Sequence, residues 1–165
     1  MLLTLEELVS LSDRIAVVVA EERSSRWEEA HGSRRIVTYT KLRVESSLRG
    51  SKAKPGETEH VWVRTLGGIV DKVGQHVAGE AQFTLGERAV VFLKQDGERS
   101  VVTGMAQGHY PLAMKDGHEV LVSSPDTGAL LPKRGPRLSA RERLLTRKLA
   151  EAQADILKVI EAQQK

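Results

Sequence analysis

The segment "RRIVTYTKLRVESSL", residues 34–48, alternates between two kinds of side chain. Ile36, Thr38, Thr40, Leu42 and Val44 fall on one face, and Tyr39, Lys41, Arg43 and Glu45 on the other. A period of two is the signature of a half-buried strand, and it is incompatible with a helix. Such a strand needs neighbours, and the chain supplies them. "RIAVVVAEE" from Arg14 is β-branched and apolar, and reads as a strand with a more exposed extension toward Trp27. "EHVWVRT" places Val61, Val63 and Thr65 opposite Trp62 and Arg64. In "ERAVVFLKQ" both faces are apolar, Val91 and Leu93 on one and Val90 and Phe92 on the other, which marks a central strand.

Turn chemistry joins these runs. Asp96-Gly97 leads into "RSVVTGMA", and Asp116-Gly117 joins "HYPLAMK" to "HEVLVSS", each a strong hairpin signal. "RGSKAKPGET" and "PDTGALLPKRGP" read as loops. Helices are confined to the ends. Thr4 and Glu7 form a capping box for a short helix through Leu5, Leu8 and Val9, and Ser139 and Glu142 form a second one. Leu145, Leu149, Ala152, Ile156 and Val159 then recur at helical spacing, predicting one amphipathic helix of about 25 residues. The sum is a mainly β (α+β) fold: a small OB-like antiparallel β-barrel over 1–132 with a short N-terminal helix. A basic loop and long C-terminal helix, 133–165, pack on or beside it.

Composition removes several chemistries. The chain has no cysteine, so disulfides, thiolate metal sites and a cysteine nucleophile are excluded. No apolar run approaches the roughly 18 residues of a membrane span. "MLLTLEELVSLSDR" carries early acids and is not a signal peptide; the protein is periplasmic or secreted if a leader was removed, and cytoplasmic otherwise. Between Lys133 and Lys148 seven bases (Lys133, Arg134, Arg137, Arg141, Arg143, Arg147, Lys148) face one acid, Glu142. That local +6 sits in a chain of net +3, so the remainder carries −3.

The stretch from Thr65 to Leu93, "TLGGIVDKVGQHVAGEAQFTLGERAVVFL", holds five glycines. It lacks the Gly-Lys-Ser/Thr of a P-loop and the Gly-x-Gly-x-x-Gly of a dinucleotide fold, and Gly74 and Gly79 would interrupt a helix. It reads instead as a long loop whose glycines permit tight turns. Loops on rigid scaffolds carry recognition, and this one exceeds the usual connection of about 4–6 residues. Gly67, Gly68, Asp71, Gln75, His76, Gly79 and Phe83 are therefore the candidate partner-binding residues. Asp71 and His76 share the loop, but no nucleophile stands in a recognisable elbow, so no catalytic residue is assigned. The five histidines show no His-x-His or His-x3-His spacing, and neither metal nor cofactor is expected.

Nucleic acid is the competing ligand class. Single-strand binding needs aromatic platforms among bases. Of six aromatics, Phe83 and Phe92 read as core, and Tyr39 and Trp62 are the one plausible stacking pair. The acidic body argues against such binding, while the basic segment argues for it or for another acidic partner or an anionic surface.

The succession "SDRIAVVVAEERSSRWEE", "RRIVTYTKLRVESSLRG", "PGETEHVWVRTLGGIV", "VGQHVAGEAQFTLGERAVVFLKQ" and "VVTGMAQGHYPL" resembles an uncharacterised bacterial family common in myxobacteria. The likeness covers about Leu5 to Leu112. The resemblance implies an exported protein encoded near matrixin-like metalloproteases. Its layout is also similar to the netrin-like barrel of tissue inhibitors of metalloproteinases. Those inhibitors chelate zinc through an N-terminal cysteine, which this chain lacks, so that mechanism does not carry over. The expected function is a non-enzymatic protein-binding module, protease-associated by resemblance. The C-terminal helix offers a route to self-association, and single-stranded nucleic-acid binding is the alternative.

Overall fold

A computed structural model describes residues 1–51, 53–128 and 136–165. Helix α1 (Leu5–Ser10) starts at Thr4, whose hydroxyl accepts from Glu7 N while the Glu7 carboxylate accepts from Thr4 N. Two strands of 17 residues follow, β1 (Arg14–Ala30) and β2 (Ser33–Arg49). They are joined by His31 and Gly32, both at positive φ, the pairing that matches a turn to strand twist. Next come β3 (Glu59–Leu66), the small hairpin β4 (Gly68–Val70) and β5 (Val73–Gln75), β6 (Arg88–Asp96) and β7 (Arg99–Val102). A 3-10 turn (Met105–Gly108) leads to β8 (His109–Lys115) and β9 (His118–Leu121), and the chain ends in α2 (Ala140–Leu144) and α3 (Leu149–Gln163).

Five strands close into a ring in the order β1-β2-β3-β7-β6, with β6 returning to β1 over Arg14↔Leu93 to Val19↔Arg88. The expectation of a wholly antiparallel sheet needs correction: β3 meets β7 in parallel, at Val63↔Ser100. Arithmetic requires this. Directions must alternate around an antiparallel ring, and five is odd, so one neighbouring pair has to run parallel.

β6 is central, as its two apolar faces indicate. Ala89, Val91 and Leu93 point into the ring with Ala16, Val18, Leu42 and Val63. Val90 and Phe92 point outward with Ile15 and Val17, into a second core covered by α1, α2, α3 and Tyr110. The C-terminal helices therefore share a core with strands of the ring. The boundary expected at 132/133 lies outside the described residues.

The single helix of about 25 residues is not formed. Leu145–Lys148 leave helical geometry, with Thr146 at φ 65°. The break has a cause in hydrogen bonding. Thr146 N donates to Leu121 O at 2.8 Å and Leu121 N to Arg147 O at 3.0 Å, so the break covers the free edge of β9. Periodicity on either side of a four-residue break still fits a helix, which is why the sequence conceals it.

Candidate functional site

At Leu66 strand β3 ends, and Gly67 (φ 92°) and Gly68 (φ 137°) turn the chain out over the distal half of the β1–β2 hairpin. The approach is close. A Cβ on Gly68 would lie 2.4 Å from Thr38 Oγ1 and 2.5 Å from Ser25 Oγ. The excursion re-enters the core at Phe83, which is buried inside the ring. Between excursion and hairpin lies a cleft of about 720 Å³.

Four side-chain bonds hold this wall to the ring strands. Thr38 Oγ1 donates to Gly67 O at 2.8 Å, and Gln75 Oε1 accepts from Ile36 N at 2.7 Å. Glu80 Oε2 accepts from Leu66 N at 2.9 Å, and Arg23 donates to Phe83 O at 2.9 Å. The far end is fixed by Gly79, whose carbonyl accepts from Ala106 N and whose Cα packs against Gly128. Of the seven loop residues singled out from the sequence, Gly67, Gly68, Gln75, His76 and Phe83 line the cleft. Gly79 anchors it. Asp71 instead occupies the exposed β4–β5 turn at φ 53°.

Asp71 is not the partner of His76. His76 Nε2 bonds Asp126 Oδ2 at 2.6 Å, on the segment after β9. The Gly128 amide and His76 hold the Asp126 carboxyl below its ordinary range.

Glu80 was not legible from the sequence, because nothing in "AGEAQF" distinguishes it from a solvated loop acid. It is 8% exposed and lines both the cleft and an adjoining cavity of about 390 Å³. Burial raises its pKa, against the opposing effects of the Leu66 and Ala81 amides and the charge of Arg64. Behind Phe83 lies His109, 1% exposed, with ring centroids 4.6 Å apart. Its Nδ1 meets Ser124 Oγ at 2.8 Å, and its Nε2 has no hydrogen-bond partner among the described residues. Burial pushes its pKa down to about 4. The floor carries a cue that the sequence did show. Thr38, Thr40 and Thr65 stand on strand faces that also carry Leu42 and Val63, and they supply hydroxyls where the core gives way to the cleft.

The basic segment is dispersed in space. Arg143 pairs with Glu6 at 2.7 Å, and Arg147 with Asp155 at 2.8 Å and Glu151 at 3.1 Å. Arg141 leans on Ser123, Arg137 and Lys148 are exposed, and Lys133 and Arg134 lie outside the described residues. Because the helix breaks at Leu145, Arg141 and Arg143 stand in the last turn of α2, where the dipole favours cations. The α3 stripe is consumed too: Ala152, Ile156, Val159 and Ile160 are buried in the outer core.

Tyr39 and Trp62 do come together, at a second cavity of about 420 Å³ with Arg64, Lys94 and Arg99. Glu28 dominates this face. It accepts from the Tyr39 hydroxyl and takes two N–H groups of Arg64 at 2.8 and 3.0 Å. Although burial opposes ionisation there, these bonds prevail and hold the Glu28 carboxyl below its usual range. The Arg26 guanidinium sits 4.3 Å over the Tyr39 ring, occupying one stacking face.

Among the described residues no group of three or more His, Asp or Glu side chains is placed to hold a metal ion, and no helix is long and apolar enough to cross a membrane. No protein-family model, curated protein or solved structure matches this chain.

Proposed function

We propose that this chain is a non-enzymatic binding module that takes an extended segment of a partner protein into the cleft between residues 67–83 and the β1–β2 hairpin. The supporting observation is a wall, one short hairpin followed by irregular chain, that is tied to the ring strands by four side-chain bonds around about 720 Å³ of open space. That volume falls in the range of ligand sites, and a wall fixed before binding lowers the ordering cost of recognition. The ring order with one parallel closure fits an OB-like barrel, a scaffold that presents binding loops. The resemblance to a protease-neighbouring family makes a protease the first partner to assay.

Selection of displayed random peptides against the folded protein tests this reading. Selected peptides should lose at least tenfold in affinity for Ile69→Lys, which places a charged side chain at the cleft rim where Ile69 is 71% exposed. Unchanged affinity would contradict it.

A second reading, single-stranded nucleic-acid binding, rests on Tyr39 and Trp62 sharing one cavity with Arg64, Lys94 and Arg99. Fluorescence anisotropy with single-stranded DNA and RNA at two salt concentrations decides it. Binding at low salt that weakens steeply with salt supports it, and no binding at low salt removes it.

A further inference from the structure

Glu80 is a buried carboxylate on the cleft surface, and among the described residues it has no ion-pair partner. Its oxygens accept from Leu66 N and Ala81 N, at 2.9 and 3.1 Å. Two neutral amides do not balance a full charge removed from water. Arg64, the cation whose charge reaches it, gives its own hydrogen bonds to Glu28. The neutral polar part of the cleft offers hydroxyls and amides, from Ser25, Thr38, Thr40, Thr65, Gln75 and Gln82, while Arg23 is held on the Phe83 carbonyl and His76 on Asp126. We propose that the cleft selects a segment carrying a lysine or arginine side chain, whose cationic head pairs with Glu80. This deepens the cleft reading and rests on it.

Burying a charge is costly, and pairing it in a low-dielectric site is strongly favourable only when both partners lose little more solvation. Here the carboxylate is already withdrawn in the free protein, and its two amide bonds fix its position. The arriving side chain supplies the missing charge, and its aliphatic stem suits the apolar side of the cleft at Leu66, Val77 and Phe83.

The test uses Nα-acetyl-lysine amide, Nα-acetyl-arginine amide and the uncharged isostere Nα-acetyl-norleucine amide, titrated into 15N-labelled protein. At least one cationic probe should produce saturable shifts of the Leu66 and Ala81 amides, and norleucine should bind at least tenfold more weakly. Glu80→Gln keeps the shape and an acceptor oxygen, and should lose the preference. Should that variant not fold, wild-type protein decides the question. Cation affinity should rise with pH as the Glu80 carboxyl ionises, above the ordinary glutamate range, while norleucine affinity stays flat. Other charges around this carboxylate are Arg64, Arg35, Lys94 and Asp96 on the adjoining cavity, and His76 and Arg23 on the cleft. Because the His76 imidazole also stands on the cleft, the pH series is repeated in His76→Gln. Equal binding of norleucine, an unchanged preference in Glu80→Gln, or no shift with any probe would overturn the proposal. If display-selected peptides bind the cleft without enrichment of lysine or arginine, the cleft reading stands and this inference fails.

Discussion

Thr38 Oγ1 donates to the Gly67 carbonyl at 2.8 Å and lies 2.8 Å from Ser25 Oγ. A hydroxyl carries one proton, so Ser25 is the donor in the second contact. The chain Ser25 to Thr38 to Gly67 thus runs from β1 through β2 into the start of the cleft wall. It adds a side-chain tie between the excursion and the hairpin beside the backbone bond from Gly67 N to Ile36 O at 2.9 Å.

That junction leaves no room for a methyl group. Gly68→Ala puts a Cβ within 2.5 Å of both hydroxyls at a φ of 137°. Strain and overpacking together should cost about 2–3 kcal/mol. Gly74→Ala in the same hairpin, whose nearest neighbour would be Ile69 Cγ1 at 3.7 Å, should be close to neutral. Urea titrations of the two variants measure the contrast, and equal stabilities would contradict the close approach.

Thr146 stores strain that the sequence concealed. A β-branched residue at φ 65° costs about 1–2 kcal/mol, and glycine returns about half of any relief through the entropy of the unfolded chain. Thr146→Gly should therefore stabilise the protein by about 0.5–1 kcal/mol, with no gain for Thr146→Ala. Thermal melts of the pair report it.

His109 makes stability depend on pH. Its imidazole titrates at about 4 in the folded protein against 6.5 when unperturbed. Between these values the unfolded chain takes up a proton that the folded protein refuses. The stability linked to neutral His109 is therefore complete above 6.5 and lost as pH falls toward 4, by about 3 kcal/mol in all. His109→Phe keeps a ring against Phe83 and removes the titration. Denaturant titrations from pH 7 to pH 4 should show the variant losing less stability than the wild type by about that amount; parallel losses would contradict it.

How far the sequence speaks depends on the range of the interaction. Alternation in Arg34–Leu48, the double apolar face of β6 and both capping boxes are local patterns, and each was legible. The parallel closure at Val63↔Ser100 follows from the number of ring strands, which no local pattern counts. The break at Leu145–Lys148 answers the free edge of β9, about 25 residues earlier in the chain. The glycine-rich excursion announced itself through Gly67, Gly68 and Gly79. Glu80 did not, because the amide that holds its carboxylate belongs to Leu66, 14 residues away.

The most direct test of the central claim is an amide shift map of the protein with a display-selected peptide bound. Perturbations should concentrate in residues 23–25, 38–40 and 65–83. A map centred on 60–64 and 93–100, or spread over the outer helices, would contradict it.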